Sequence, residues 1–293
     1  MNSQNRITWT IGTGEYCEKH PDEELVKTNP EFFKSFKEPP PNTPVCPACT
    51  RENIAQEDRK IAKTAQLSAH ITRTHKVLKE QSIITDNTLK VATFDSFKRD
   101  TGEQIRNFEQ MKEVVNAIVK GEPLNVWLVG KAGRGKSHLA MSALDKINEF
   151  GRTKIDKAFH EDGNFEGEGF SCLFVSVDKM LQLIRGSFSD KESKYTEDRC
   201  IDMCTRAGVL VLDDLGAESG AIEEDERANK FVHRVLYAIA NGRMDKATII
   251  TTNLKAEQRA ALYDEKLISR LYSNKAELLF IESPDMRASQ FEW

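Results

Sequence analysis

The chain has 293 residues, of which 39% are hydrophobic and 30% are charged, and its formal net charge is -4. This length predicts one α/β domain of ordinary size and a smaller module. The slight acidity excludes a global attraction to nucleic acid, so any DNA contact must use a local basic patch. The sequence has no signal-peptide pattern and no apolar run near the roughly 18 residues of a membrane span. We therefore expect a cytoplasmic protein without membrane contact.

Residues 1–50 are rich in Pro, Asn, Lys and Glu and contain too few apolar residues to bury a core unaided. Cys17 and His20 form a C-x-x-H pair, and Cys46 and Cys49 form a C-x-x-C pair. Because stable disulfides are not expected in the cytoplasm, these four residues predict a closed tetrahedral Zn²⁺ site that stabilises a small amino-terminal module. The alternative is that the C-x-x-C pair forms an unliganded turn and that His20 is an ordinary surface residue.

Residues 51–85 are predicted to form a linking helix that is mostly exposed. The segment 51–81 contains no Gly or Pro, and its few apolar residues lie at loosely helical spacing among many charges. Its second half is locally basic, which is compatible with DNA contact or with a solvated face. The residues that make it basic are His70, Arg73, His75, Lys76 and Lys79.

Residues 86–293 are predicted to form an α/β domain around a five-stranded, mainly parallel sheet. A helix over 103–119 is followed by five short apolar runs that alternate with helical patterns, as is typical of buried parallel strands. The runs are NVWLV, SCLFVSV, GVLVLDD, KATIITTN and AELLFIE. The polar, glycine-rich segment 151–170 is predicted to be a mobile surface loop. The remaining cysteines, Cys172, Cys200 and Cys204, are expected to be core or semi-buried thiols.

A phosphate-binding loop follows the first of these strands and opens a helix. Residues 130–137 read GKAGRGKS, which fits the pattern G-x-x-x-x-G-K-[ST] in the required context. Its backbone N–H groups and the helix dipole would hold ATP phosphates, Lys136 would reach the β- and γ-phosphates, and Ser137 would bind Mg²⁺. The predicted nucleotide-binding residues of this segment are Gly130, Lys131, Ala132, Gly133, Arg134, Gly135, Lys136, Ser137 and His138.

Acidic and polar residues end two later strands, where they can face the same edge of the sheet. Asp213 is the predicted second ligand of Mg²⁺, and Asp214 is placed to orient or activate the attacking water. Glu218 is a weaker candidate, which a solvated loop residue explains equally well. The strand KATIITTNL ends in the polar group Thr251, Thr252 and Asn253. Asn253 is predicted to contact the γ-phosphate or the water, and the alternative is an Asn that only terminates a strand.

These motifs together resemble the DnaC/DnaI branch of AAA+ ATPases, the bacterial and phage replicative helicase loaders, with the related IstB transposition ATPases close behind. The resemblance covers roughly residues 90–290, and the combination and order of its motifs are more specific than the phosphate loop alone. The segments that carry it are TFDSF (93–97), GKAGRGKSHLA (130–140), LFVSVDKMLQLIRGSF (173–188), VLVLDDLGAE (209–218), IITTNL (249–254) and LISRLYS (267–273).

The resemblance implies an AAA+ core without a carboxy-terminal helical lid, because the chain ends about ten residues after the last apolar run. It identifies Asn253 with the sensor 1 position. By the same resemblance, Arg270 is an arginine finger that acts on ATP bound by a neighbouring subunit, which requires a homo-oligomer. Arg287 is the candidate sensor 2 arginine. The alternatives are a surface ion pair for Arg270 and a solvated residue for Arg287.

The family also implies two partners. Its amino-terminal region contacts a DnaB-type replicative helicase, so the zinc module and linking helix are the expected docking surface. Its helical insertion corresponds to about 178–199 and is expected to meet single-stranded DNA, although a solvated face explains its basic residues equally well. Those residues are Lys179, Arg185, Lys191 and Lys194.

Three functions are compatible with these features. The first is an ATP-dependent helicase loader with slow, partner-regulated hydrolysis of ATP. The second is an IstB-like ATPase that assists a DNA transposase, against which the zinc module argues mildly. The third is a nucleotide-switched adaptor with little turnover, which the intact Asp213 and Asp214 disfavour.

Overall fold

The computed structural model describes residues 8–161, 163–190, 192–217, 226–273 and 275–286, with the backbone alone for residues 226–229. The chain divides into two compact units, one ending at Ser68 and the other beginning at Ala69. None of the helices in these ranges has the length and apolar character needed to cross a membrane.

The first unit is a β-hairpin followed by most of a long helix. Strands β1 (Thr10–Tyr16) and β2 (Glu24–Thr28) pair antiparallel, and helix α1 (Pro47–Arg73) follows. Among the described residues of this unit, Cys46 is the only hydrophobic residue that is buried. A unit with so little apolar burial needs another source of folding free energy.

The second unit is built on one sheet of five parallel strands. The strands are β3 (Asn125–Gly130), β4 (Cys172–Ser176), β5 (Val209–Asp213), β6 (Ala247–Thr252) and β7 (Lys275–Phe280). Their spatial order is β4-β5-β6-β3-β7, and every neighbouring pair is parallel. The five strands predicted from apolar runs are therefore confirmed.

Helices cover both faces of this sheet. They are α2 (Val77–Gln81), α3 (Gly102–Val119), α4 (Lys136–Glu161), α5 (Val177–Gly186), α6 (Glu197–Arg206), α7 (Glu226–Asn241), α8 (Ala256–Leu262) and α9 (Glu265–Leu271), with a 3-10 turn at Asn87–Val91. Successive strand residues point to opposite faces, so Trp127 and Val126 belong to different hydrophobic cores. The carboxyl ends of the parallel strands share one edge, where ligands bind in folds of this kind.

The predicted linking helix occurs as two helices, α1 and α2, separated by residues 74–76. The chain after α2 joins the sheet edge: Ile83 accepts from the backbone N–H of Ser176 and donates to the carbonyl of Phe174, both at 2.8 Å. Val77 and Ile83 are buried. Val77 and Ile83 thus belong to the core of the second unit.

The prediction of a mobile loop over 151–170 is wrong for the first eleven residues, which continue α4 to Glu161. Gly151 marks close packing within this helix, because a Cβ there would lie 2.8 Å from the backbone nitrogen of Phe170. Ile155 is fully buried and Phe165 is 4% exposed. His70, near the end of α1, is 2.8 Å from the carbonyl of Glu168. The segment therefore packs in an ordered arrangement.

Candidate nucleotide site and metal centre

The phosphate-binding loop lies between β3 and α4, as the sequence predicts. Gly133 and Gly135 have φ angles of 78° and 89°, a left-handed conformation that glycine adopts without a steric penalty. Helix α4 begins at Lys136, so the loop ends at a helix amino terminus, where backbone N–H groups favour anions. Lys131 and Ala132 are exposed at the tip of the loop. This geometry fits the phosphates of a nucleotide.

Lys136 is 4% exposed and points to the carboxyl edge of the sheet. Its Nζ donates to the carbonyl of Lys131 and to Oδ1 of Asn253, both at 2.8 Å. The amide of Asn253 in turn lies 3.4 Å from Oδ1 of Asp214. Residues that the sequence placed after three different strands are therefore brought together.

Asp213 ends β5 and is 5% exposed. Thr251 donates its hydroxyl to Asp213 at 2.7 Å, and Ser137 makes a second hydrogen bond to the carboxylate. Burial raises the pKa of Asp213 to about 6 although both hydrogen bonds oppose the shift. A hydroxyl and a buried carboxylate are oxygen ligands of the kind that Mg²⁺ prefers, so Ser137 and Asp213 fit this cation.

Thr251 has a larger part in the site than the sequence indicates. Besides its bond to Asp213, its hydroxyl accepts from the backbone N–H of Asp214 at 2.8 Å. Asp214 has a φ of 56°, which is uncommon for a residue other than glycine. One hydroxyl thus holds the carboxylate of Asp213 and the backbone of Asp214, and only the general polarity of the strand end pointed to it.

The segment TFDSF (93–97) packs against the phosphate loop and the start of α4. Ser96 Oγ is 3.0 Å from Nε2 of His138, and the ring of Phe97 lies 5.9 Å from the imidazole. Burial lowers the pKa of His138 against a hydrogen bond from its ring to Thr93. His138 therefore joins this segment to the phosphate loop, and its placement beside a bound nucleotide stays a prediction.

Arg270 lies near the amino-terminal end of β3, whereas the phosphate loop follows the carboxy-terminal end of that strand. Its guanidinium contacts the hydroxyl of Tyr237 at 3.3 Å and the sulfur of Met244 at 3.6 Å. Its carbonyl accepts from the side chain of Asn125, the first residue of β3, whereas the loop begins at the last residue of that strand. Arg287 and Glu218 lie outside the described residues, as does Lys191 of the expected DNA-binding insertion.

The described residues of the insertion are partly engaged within the fold. The guanidinium of Arg185 lies over the ring of Phe231 at 5.3 Å, and Lys194 lies over Tyr195 at 4.7 Å. Lys179 is exposed on α5.

Cys172, Cys200 and Cys204 are buried, and burial raises the pKa of Cys200 to about 11 and that of Cys204 to about 12. The prediction of core thiols is confirmed.

The four predicted metal ligands converge in the first unit. Each of Cys17, His20, Cys46 and Cys49 offers one ligand atom, and these atoms lie within 4.8 Å of one another. The Cys17 and Cys49 sulfurs are 3.7 Å apart, and Nδ1 of His20 lies 3.3–3.9 Å from the three sulfurs. Tetrahedral Zn²⁺ with bonds of about 2.0–2.3 Å separates its ligand atoms by about 3.5–3.8 Å. The cluster therefore has the composition and spacing of a structural zinc site.

The chemistry around the cluster supports this assignment. Nε2 of His20 lies 3.1 Å from Oε1 of Glu52, and Lys19 also pairs with that carboxylate. A carboxylate on the far nitrogen fixes the tautomer in which Nδ1 is free to bind a metal. The backbone N–H of His20 lowers the pKa of the Cys17 thiol to about 6, whereas burial raises the pKa of Cys49. Glu52 is a supporting residue that the sequence analysis missed.

No protein-family model matches the chain, and no curated protein is similar to it at a significant level. Among solved structures, the chain is similar to a provisionally assigned primosome component from Streptococcus pyogenes serotype M3, with 16% identity and a TM-score of 0.50; the match covers 72% of this chain and 96% of that one. It is also similar to the DnaC helicase loader, with 19% identity over 67% and 99% of the two chains and a TM-score of 0.48. The similarity to DnaI has 20% identity and a TM-score of 0.49, and it covers 68% of this chain and 95% of DnaI.

At these identities a similarity shows a shared fold. The predicted α/β architecture with a five-stranded parallel sheet is confirmed, and the first unit carries the predicted Cys/His cluster.

Proposed function

We propose that the protein is an ATPase that loads a DnaB-type replicative helicase onto single-stranded DNA. The order of its motifs and the fold shared with a primosome component support this proposal. The single observation that carries the ATPase part is the convergence of Lys136, Asn253 and Asp214 beside the phosphate loop.

The reaction is the attack of water on the γ-phosphate of ATP. Lys136 binds the β- and γ-phosphates and stabilises charge that develops on the oxygens, and the loop N–H groups hold the remaining phosphates. Asp214 accepts a hydrogen bond from the attacking water and orients it, while Asn253 holds Asp214 and contacts the γ-phosphate. Mg²⁺, held by Ser137 and Asp213, would neutralise phosphate charge when bound.

Arg270 completes the site of a neighbouring subunit. Along β3 the distance from Asn125, beside Arg270, to the start of the loop is roughly 17 Å at about 3.3 Å per residue. The side chain of Arg270 therefore does not reach nucleotide bound by its own subunit. An arginine finger supplied in trans makes hydrolysis depend on assembly, so the active form is a homo-oligomer with ATP at subunit interfaces.

The amino-terminal unit is proposed to bind the helicase. It has a hairpin and helix stabilised by Zn²⁺ at Cys17, His20, Cys46 and Cys49, and it exposes large apolar side chains that include Trp9, at 68%, and Tyr16, at 61%. Exposed aromatic residues are enriched where proteins bind one another.

Capture of partners by the immobilised full-length protein tests this function. In the presence of ATP, the wild type and Lys136→Ala are each incubated with a purified replicative helicase and, in separate reactions, with duplex DNA and with a purified transposase. We expect both to bind the helicase and only the wild type to release it as ATP is hydrolysed. Binding of duplex DNA and a transposase without helicase would support the IstB-like function. Helicase binding with release on nucleotide exchange alone would support the adaptor.

A further inference from the structure

Glu103, in the first turn of α3, binds the chain that follows β7. It is 6% exposed, and its carboxylate accepts from the backbone N–H groups of residues 281, 282 and 283 at 2.8, 2.7 and 2.8 Å. The hydroxyl of Ser283 donates to the same carboxylate. Burial would raise the pKa of Glu103, but these hydrogen bonds outweigh it and lower the pKa, so the group is a charged acceptor.

The segment held in this way, residues 281–286, lies against the phosphate-binding loop, and we call it the strap. The backbone N–H of Met286 donates to the carbonyl of Gly133 at 2.8 Å, and the guanidinium of Arg134 donates to the carbonyl of Ile281. The contact is close: a Cβ on Gly133 would lie 2.1 Å from Oδ1 of Asp285.

The strap also reaches the last glycine of the loop. A Cβ on Gly135 would lie 2.9 Å from the sulfur of Met286 and 3.2 Å from the ring of Phe97. Met286 and Phe97 therefore enclose Gly135 from two parts of the chain. A loop that contains two left-handed glycines loses much conformational entropy when it is ordered, and the strap supplies contacts that offset this loss.

We infer that Glu103 is a positioning residue of the nucleotide site, which fixes the strap against the phosphate-binding loop and so preorganises the loop for a nucleoside triphosphate. The inference rests on the proposed nucleotide function. Preorganisation raises affinity because the loop is ordered before the ligand arrives. The hydrogen bonds of the Glu103 carboxylate go to the strap, so removal of its charge should weaken nucleotide binding and leave the chemical step unchanged.

The test compares ATP binding and hydrolysis by the full-length wild type, Glu103→Gln and Glu109→Gln. Glutamine keeps the size of Glu103 but loses its charge, and Glu109 is an exposed glutamate of the same helix that pairs with Lys112. We expect Glu103→Gln to raise the Kd for ATP about tenfold, while kcat at saturating ATP stays within about twofold of the wild type. Glu109→Gln should match the wild type in both quantities. Circular dichroism at the assay temperature establishes that each variant is folded.

Met286→Ala keeps the inference testable if Glu103→Gln does not fold, because an unchanged Kd for ATP in this variant would overturn the inference. Met286→Ala removes the side-chain contact between the strap and Gly135, so it should raise the Kd for ATP by about threefold to tenfold. Where Glu103→Gln folds, the double variant should have a Kd for ATP close to that of whichever single variant binds ATP more weakly, because both substitutions act through the strap. Fully multiplicative effects of the two substitutions would overturn the inference.

The outcomes separate this inference from the proposed function. A wild-type protein that binds no ATP would refute the nucleotide site itself. A wild type that binds ATP, loses it with Lys136→Ala and retains it with a folded Glu103→Gln would refute only the positioning role of Glu103. A fall in kcat with no change in the Kd of Glu103→Gln would also contradict the inference.

Discussion

Lys136 donates from Nζ to Oδ1 of Asn253 at 2.8 Å, although the two residues are 117 positions apart in the chain. Their meeting follows from the sheet. Strands β3 and β6 are parallel neighbours, and the register pairs Val129 with Thr252. The segments that follow Val129 and Thr252 therefore lie at the same carboxy-terminal end of the sheet, so the phosphate loop and Asn253 face one another.

Asn253→Ala should affect the chemical step more than nucleotide binding, because Asn253 holds Asp214 and the reacting phosphate but not the remaining phosphates. We expect kcat to fall about 10²-fold, while the Kd for ATP changes by less than about threefold. The measurement is steady-state ATP hydrolysis together with a nucleotide titration. Asn241→Ala, an exposed asparagine at the end of α7, is the control and should leave both quantities unchanged. A change in Kd alone for Asn253→Ala would contradict the role of Asn253.

Asp213→Asn should stabilise the protein while abolishing hydrolysis. The folded-state pKa of Asp213 is raised to about 6 by burial, so the folded state retains the proton longer than the unfolded chain does as pH rises. The cost of the buried charge is therefore fully present above about pH 6 and absent below about pH 4. We expect the variant to raise the free energy of unfolding by on the order of 1–2 kcal/mol at about pH 7.5 and by little at about pH 4.

Denaturant titrations in the absence of Mg²⁺ at the two pH values measure this difference, with Asp58→Asn on the exposed face of α1 as the control. For the same reason, the affinity of the wild type for Mg²⁺ should weaken as pH falls below about 6, since protons compete with the cation for Asp213. An equal change in stability at both pH values would argue against a buried charge at Asp213.

Arg270→Ala should abolish hydrolysis by an oligomer of identical subunits and be rescued by a second inactive variant. In a mixture of the two variants, the Arg270→Ala subunit supplies an intact phosphate loop and a neighbouring Lys136→Ala subunit supplies an intact Arg270. Random assembly of equal amounts makes about a quarter of the interfaces complete, so up to about a quarter of wild-type activity should return. Arg206→Ala, at an exposed arginine on α6, should retain full activity alone. An inactive mixture of properly assembled subunits would contradict action in trans.

Glu52→Gln should weaken Zn²⁺ binding by about 10–100-fold, because the carboxylate orients His20 through Nε2. Competition with a chromophoric chelator gives the affinity, and Glu57→Gln on the same helix is the matched control. The visible spectrum of the Co²⁺-substituted protein should report three sulfur ligands and one nitrogen in both variants.

Removal of the metal should unfold the first unit, which buries little apolar surface, and leave the sheet of the second unit intact. Hydrogen exchange of the metal-free protein should therefore accelerate in residues 8–68 alone. Unchanged exchange in that range after complete removal of the metal would contradict a structural role for zinc.

The parts of the fold that the sequence predicts are those with a strong local signal. Five apolar strands and the loop GKAGRGKS have spacing that few other structures would produce, and the C-x-x-H and C-x-x-C pairs indicate their ligand set directly. The helix over 151–161 was missed because glycine and charged residues locally favour a loop. Gly151 is instead needed where the backbone of Phe170 approaches the helix.

Glu103 and the strap could not be predicted for a different reason. A glutamate in the first turn of a helix is expected from the helix dipole alone, so its sequence position gives no sign of a further role. Its partners lie 178–180 residues later, after an edge strand, and only the three-dimensional packing of β7 beside α3 brings them together. Glu52 was missed similarly, because its partner His20 lies 32 residues earlier.

The most direct test of the central claim is transfer of the helicase to DNA. Replicative helicase is mixed with circular single-stranded DNA coated with single-strand-binding protein and carrying an annealed labelled oligonucleotide, and strand displacement is followed with wild-type protein or Lys136→Ala. We predict that displacement requires the wild-type protein and ATP, and that Lys136→Ala does not support it. Displacement that is equally fast without the protein, or with Lys136→Ala in its place, would contradict the ATP-dependent loading of a helicase.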